Sequence, residues 1–242
     1  MKQPLLLLAF IGFFITASLF FVGGYHAGFY FINQWATAYP EWLWQWLTVL
    51  GDERVAFTLM LVLAWRYPQL LWPLLFAAIL ATLYSRGLKE LFDATRPAAV
   101  LAADSFQRLG CELRQYSFPS GHSVTAGMVG GVLLLQLRWI EARIALILFV
   151  ILIGISRIAV GAHWPIDVAA GLSGGFLAAE LGARLAARWS APTLTRRSRR
   201  VLLGLAAPMV LSLLVNDGGY PQAALLLQLI GGTAFFYLTL RF

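Results

Sequence analysis

Three short polar clusters interrupt an otherwise apolar chain, and their residue types suit one kind of chemistry. Lys89 is followed seven residues later by Arg96-Pro97; Pro119-Ser120-Gly121-His122 precedes an apolar run; Ser156-Arg157 is followed by His163-Trp164-Pro165-Ile166-Asp167. Two cations at one membrane edge suit an anionic group. Seven residues is about two helical turns, so Lys89 and Arg96 share a face if the helix runs that far, although Pro97 discourages it. Proline, then serine as N-cap, then glycine starts a helix whose first N–H groups lack partners and bind phosphate readily. His122, in that first turn, is placed to give or take a proton. Pro165 suits the first turn of a further helix, which leaves His163 just outside it and Asp167 within it. A carboxylate four residues from a histidine can accept its ring N–H, fix its tautomer and stabilise the imidazolium.

Each cluster also has a plainer reading. Lys89 and Arg96, taken alone, read as snorkelling side chains at a helix end. The second cluster reads equally as an ordinary cap with an interfacial histidine. The third reads as a buried structural Asp–His pair, but charged groups at membrane depth are costly and default to function, which favours the functional reading there. Taken together, Lys89, Arg96, Ser120, Gly121, His122, Arg157, His163 and Asp167 supply three cations, two helix N-termini, two histidines and one carboxylate. The sequence holds no cysteine cluster and no histidine with several acids, so it calls for no metal and no cofactor. What remains is metal-free phosphoryl transfer through a histidine nucleophile, with cations and N–H groups on the charged oxygens.

Lipid-facing helices must position these groups. Of 242 residues, 60% are hydrophobic and 12% charged, about half the charged share of soluble domains. Mean hydropathy is +0.76. A soluble chain of 26.7 kDa cannot hide that much apolar surface. An ordinary cytosolic enzyme, a disordered protein and a disulfide scaffold are thereby excluded. The net charge of +7 would suggest nucleic acid in a soluble domain. Here the cations fall between apolar runs and read as topology signals and anionic-lipid contacts, so the bilayer is the partner and nucleic acid is not. Cys111, the single cysteine, reads as a small packing residue.

The expected fold is an all-α polytopic membrane bundle of about eight spans. These are Pro4–Val22, Asp52–Tyr67, Gln69–Leu91, Ser120–Leu137, Glu141–Val160, Ile166–Trp189, Arg200–Val215 and Pro221–Leu240. The length of the first favours an anchor over a cleaved signal peptide. Tyr25 to Trp46 is aromatic and broken by Pro40, so it reads as an interfacial segment or partial helix, with His26 interfacial. Tight turns are expected at Pro68 and at Asp217-Gly218-Gly219. One domain covers 1–242, with its motifs in 89–167 and extra C-terminal helices in 200–240. The helices that start at Ser120 and Pro165 run in the same direction, so their N-termini share a face. They carry Gly127-xxx-Gly131 and Gly171-xxx-Gly175, a spacing that lets membrane helices approach closely.

Charge sets the orientation. With the N-terminus cytoplasmic, inside connections hold Lys2, Arg66, Arg138, Arg143, Arg184, Arg188, Arg196, Arg197, Arg199, Arg200 and Arg241, that is 11 of the 18 cations. Most of the acids fall outside. The positive-inside rule selects this arrangement and puts all three motifs on the outer face.

The motifs resemble those of the type 2 phosphatidic acid phosphatase superfamily, whose pattern is KxxxxxxRP, PSGH and SRxxxxxHxxxD. Every defining position is present here, within Lys89–Asp167. Leu47-Thr48-Val49-Leu50-Gly51-Asp52 is also similar to the family's lead-in to its second helix. The resemblance implies a six-helix core, leaving two C-terminal helices as additions that line a lipid access path, form an oligomer contact or complete the bundle. It implies that His163 attacks phosphorus, that Asp167 orients it, and that His122 protonates the leaving group. Lys89, Arg96, Ser120, the Gly121 N–H and Arg157 would hold the phosphoryl oxygens. The implied activity is a bacterial inner-membrane lipid phosphatase with cytoplasmic termini and a periplasmic site. Its substrate would be undecaprenyl diphosphate, phosphatidic acid, phosphatidylglycerol phosphate or lipid A. A lipid phosphotransferase and a non-catalytic lipid or anion transporter are the alternatives; the His122/His163/Asp167 set argues against the transporter. The outer loop from Asp93 to Phe118, with Arg108, Glu112, Arg114 and Tyr116, is expected to set headgroup choice or to be a solvated, charge-balanced loop.

Overall fold

The computed structural model describes residues 4–188 and 196–240, in which every regular element is a helix. Lys2, Trp189 and Arg241 lie outside the described residues, as do the side chains of the Arg196–Arg200 cluster. The helices are α1 Pro4–Gly23, α2 Phe29–Ala36, α3 Glu41–Val49, α4 Glu53–Arg66, α5 Leu71–Phe92, α6 Pro97–Val100, α7 Gly121–Leu134, α8 Ile140–Ala159, α9 Pro165–Arg188, α10 Arg196–Val215 and α11 Ala224–Thr239. Short 3₁₀ turns at Pro68–Leu70 and Pro221–Ala223 lead into α5 and α11.

Among the described residues, five helical segments are long and apolar enough to cross a membrane: Pro4–Gly23, Pro68–Val100, Ile140–Ala159, Pro165–Arg188 and Pro221–Thr239. Their outer faces carry large apolar side chains in the open, among them Phe10, Phe14, Leu83, Leu148 and Phe236. In water such a belt would drive association; in lipid it is the solvated face. α7 is a shorter apolar helix of 14 residues, roughly 21 Å long. Nine of its residues are buried, Gly127, Gly130 and Gly131 among them, because it sits inside the bundle rather than at its rim.

Local chemistry sets the helix ends at the polar face. Asp52 caps α4, accepting from the Arg54 N–H at 2.8 Å, and Ser120 caps α7. α5 stops at Phe92, followed by Asp93 in a left-handed conformation (φ 38°). Arg96 therefore lies in extended backbone ahead of Pro97, at the N-terminus of α6. The helix therefore does not run far enough for Lys89 and Arg96 to share a helical face, and Arg96 returns to the site from the loop, as the stop near Leu91 and the position of Pro97 led one to expect. The aromatic stretch forms α2 and α3, with Pro40 as the break between them.

α9 is the central helix, packed by α1, α5 and α7. The four spaced glycines lie at its seam with α7. A Cβ on Gly127 would meet the Leu172 carbonyl at 2.6 Å, and one on Gly175 the Val124 carbonyl at 2.4 Å. One on Gly171 would meet the Ser120 carbonyl at 2.7 Å, and one on Gly131 the Ala179 Cβ at 2.6 Å. Backbone against backbone is the closest packing two helices can reach, and it draws the two N-termini together. The Ser120 N–H then donates to the Asp167 carbonyl at 3.0 Å.

Candidate active site

The short turn from α8 to α9 presents His163. Trp164 fixes that turn: its indole N–H donates to the Thr95 carbonyl at 2.8 Å, and its ring stacks on His26 at 4.0 Å. Asn33 of α2 ties down the end of α8, donating to the Ile158 carbonyl at 3.0 Å and accepting from the Gln107 N–H at 2.8 Å. His163 and Asp167 are buried, at 2% and 0% exposure.

The histidine lies between two partners. Its Nδ1 is 3.2 Å from Asp167 Oδ2, and its Nε2 is 3.2 Å from Arg96 Nη1. A guanidinium only donates, so Nε2 is the acceptor and the ring proton sits on Nδ1, toward the carboxylate. Burial holds the His163 pKa well below the ordinary 6.5, with the positive charges of Arg96, Arg157 and Lys89 acting in the same direction. The imidazole is therefore neutral at pH 7, with an unprotonated Nε2 whose lone pair accepts from Arg96 and becomes the nucleophile once a phosphoryl group takes over that guanidinium.

Asp167 is held by more than the histidine. Tyr25 donates to Oδ1 at 2.6 Å; Ser117 and the Trp164 N–H donate to Oδ2 at 2.5 and 3.0 Å. Satisfied on both oxygens, a buried carboxylate can stay ionised and keep its direction.

The cations reach the site from three elements. Arg96 is anchored by the Gln115 carbonyl at 2.8 Å and the Ala162 carbonyl at 3.3 Å. Lys89, at the end of α5, donates to the Tyr116 carbonyl, which Tyr116's left-handed backbone (φ 55°) turns inward. Arg157, at the end of α8, donates through Nη1 to Thr48 and to the Tyr220 hydroxyl, while its buried Nε has no partner. Lys89, Arg96, Gly121, His122, Arg157 and His163 line one cavity of about 560 Å³. That cavity continues between α4, α5 and α7 along Phe57, Met60, Ala78, Ala81 and Met128. A polar end rich in cations thus opens into an apolar slot.

Of the eight residues singled out in the sequence, six line this cavity. Ser120 and Asp167 stand behind it, Ser120 as the α7 cap whose Oγ accepts from Ser123 Oγ at 2.9 Å, and Asp167 behind His163. Sequence reasoning missed Tyr25, Ser117, Thr48 and Tyr220. Two of these left a trace, Tyr25 at the head of the aromatic stretch and Thr48 in the tract before α4. In the loop between α6 and α7, Arg108 and Arg114 pair with Glu112 at 2.6 Å each, and none of the three lines the cavity. That loop serves the site through backbone carbonyls rather than through those charges. Among the described residues, no group of three or more His, Cys, Asp or Glu is placed to hold a metal ion.

A profile of the PAP2 superfamily matches residues 70–191, half of the chain. The chain belongs to the PAP2 superfamily. Its motifs are those of the type 2 phosphatidic acid phosphatases, and its apolar helices make it an integral membrane protein. Among curated PAP2 relatives, a lipid A 1-phosphatase of Rhizobium johnstonii is 35% identical over 117 residues, 48% of this chain and 46% of that protein. A lipid A 1-phosphatase of Rhizobium etli is 46% identical over 59 residues, 24% of this chain and 25% of that one. The matches therefore span half or less of those relatives. Two solved structures share the PAP2 fold. Aquifex aeolicus LpxE is 30% identical with a TM-score of 0.58, over 64% of this chain and 92% of that one. The phosphatidylglycerolphosphate phosphatase of Bacillus subtilis has a TM-score of 0.58 at 23% identity, over 80% of this chain and all of that one.

Proposed function

We propose that this PAP2 protein is a lipid phosphatase acting from a single membrane domain spanning 1–242, through a phosphohistidine on His163. The observation that carries the reading is the His163 environment. Nδ1 is tied to a buried carboxylate, Nε2 faces a cavity ringed by Lys89, Arg96 and Arg157, and that cavity runs into an apolar slot. A lipid phosphate fits it end to end, headgroup among the cations and chain between α4, α5 and α7.

In the first step Nε2 attacks phosphorus as the P–O bond to the lipid breaks, and His122 gives its proton to the departing oxygen. For a diphosphate, the departing group is the lipid monophosphate. In the second step water attacks phosphorus, His122 takes the water proton, and the P–N bond breaks to release inorganic phosphate. The cations and the N-terminus of α7 hold charge on the equatorial oxygens in both steps. Lipid A, phosphatidylglycerol phosphate, phosphatidic acid and undecaprenyl diphosphate are the substrates to compare, with lipid A first because of the named relatives. The location proposed is a bacterial inner membrane, and there the positive-inside count supports cytoplasmic termini and a periplasmic site.

The test is phosphate release by purified enzyme across those four lipids, with EDTA present, using ³²P-labelled lipid to trap a phosphoenzyme. Turnover should survive chelation, and His163→Ala should lose both turnover and label. Activity lost to EDTA and restored by Mg²⁺ or Zn²⁺ would refute the metal-free chemistry. Label trapped on His122 or a serine would refute the assignment of the nucleophile.

A further inference from the structure

The family match ends at residue 191, yet a residue beyond it bonds to one of the cations that line the site. Tyr220, in the turn between α10 and α11, is buried at 7% exposure and accepts from Arg157 Nη1 at 2.8 Å. The turn is built to hold it there. Asn216 and Asp217 side chains accept from the Gly218 and Gly219 N–H groups at 2.8 Å each, and both glycines have positive φ. Beyond Tyr220, the Gln222 N–H donates to Gln45 at 3.0 Å and the Gln222 carbonyl accepts from the Trp46 indole at 2.8 Å. Leu213, Ala223 and Leu227 are fully buried against Trp44, Val49 and Val55.

We propose that the C-terminal hairpin is part of the active site, with Tyr220 a positioning residue that aims Arg157 at the transferring phosphoryl group. A guanidinium presents a two-pronged edge, Nε with Nη2, and a third group, Nη1. Thr48 and Tyr220 take Nη1. Among the described residues nothing bonds to the Nε–Nη2 edge, and Nε is buried without a partner. The free edge belongs to a residue lining the cavity, so the missing acceptor is an oxyanion. Hydroxyl partners matter here, because a carboxylate would neutralise Arg157, whereas Thr48 and Tyr220 fix its direction and leave its full charge for the ligand. Near its outer end the same hairpin lends Met209 to the cavity wall, so it touches both the polar and the apolar part of the pocket.

The inference rests on the phosphate-site reading of this cavity, so its test includes a readout independent of turnover. Tungstate, a tetrahedral oxyanion, is titrated by calorimetry into detergent-purified full chain, alongside kcat and KM for phosphate release from dioctanoyl phosphatidic acid. Tyr220→Phe, which removes only the hydroxyl, should weaken tungstate about tenfold and lower kcat/KM by a similar factor. In an Arg157→Lys background, where no fork is left to aim, adding Tyr220→Phe should change either quantity less than twofold. Tyr220→Gln should outperform Tyr220→Leu, since the two are close in volume and only Gln offers an acceptor. That comparison holds even if both variants lose stability. Unchanged tungstate affinity in Tyr220→Phe, full multiplication of the two effects in the double variant, or equal behaviour of Gln and Leu would each overturn the proposal. If His163→Ala still turns over, the phosphohistidine reading fails on its own while the tungstate cycle still decides the role of Tyr220.

Discussion

Asp167 does not hold His163 alone; Tyr25 and Ser117 hold Asp167, one on each oxygen. Each hydroxyl is a charge-assisted donor, so removing one leaves a buried carboxylate oxygen short of a partner, at a cost of about 1–3 kcal/mol. Tyr25→Phe and Ser117→Ala should each lower kcat about tenfold or more with KM little changed, because neither touches substrate. Steady-state kinetics on the two variants checks this, and a change confined to KM would contradict it. The His163 environment also makes a pH prediction. Its pKa is depressed by burial and then by Arg96, so the nucleophile stays neutral below pH 6.5 and its own protonation does not limit kcat/KM until lower pH. Taking away the Arg96 charge makes the imidazolium less costly and raises that pKa. In Arg96→Met the acid limb of kcat/KM should therefore move to higher pH, whatever happens to the absolute rate. A limb that stays in place or moves down would refute the electrostatic account. At this scale the sequence announced acids, bases and cations through local spacing, as in His163 and Asp167 four residues apart. It was silent on the neutral hydroxyls. Tyr25 lies 142 residues from Asp167, and Tyr220 lies 63 from Arg157. Only packing brings them in, and hydroxyls are too common to be read as signals.

At the scale of elements, the site depends on the α7–α9 seam, which brings the helix starting after Ser120 against the one that follows His163. The seam was legible because glycine at four-residue spacing has a direct steric meaning. The end of α5 was legible too, expected at Leu91 and found at Phe92, but the left-handed turn at Asp93 that sends the chain back toward the site carries no glycine to mark it. The break between α2 and α3 was legible from Pro40. The docking of α2 was not, since it rests on Asn33 bonding to the Gln107 loop and to the end of α8, both more than seventy residues away. The seam makes a paired prediction. A Cβ on Gly175 would meet backbone, the Val124 carbonyl at 2.4 Å and the Met128 nitrogen at 2.7 Å, whereas one on Gly232 in α11 meets nothing within 4 Å. Gly175→Ala must push the helices apart and should cost about 1–3 kcal/mol, with activity falling as His122 and His163 separate. Gly232→Ala should be neutral or slightly stabilising, since alanine favours the helix. Thermal unfolding in one detergent compares the two. Equal midpoints would show that the seam yields and that its close approach does not hold the site together.

For the molecule as a whole, the decisive property is which leaflet the cavity serves. The ends of α5, α8 and α10 and the starts of α4, α7 and α9 meet at one face, as the bonds from Arg96 to His163, Arg157 to Tyr220 and Ser117 to Asp167 require. A charged headgroup does not cross the hydrocarbon core readily, so the enzyme should process only the leaflet this face meets. The sequence indicated which loops share the face through the alternation of apolar runs, and a side of the membrane through the arginines of the opposite connections. The molecule carries its own reporter of the answer. Cys111, the single cysteine, is exposed on the loop between α6 and α7 that supplies the Arg114 and Gln115 carbonyls to Arg96. In spheroplasts of a bacterium expressing the full chain, a membrane-impermeant maleimide should label Cys111. A variant with Cys111→Ser and Gln136→Cys places the thiol in the exposed connection between α7 and α8, at the opposite end of the bundle. It should label only after the membrane is opened. The reverse pattern would put the cavity on the cytoplasmic leaflet. Phosphatidic acid, which that leaflet turns over, would then replace lipid A and carrier-lipid diphosphates as the first substrate to test.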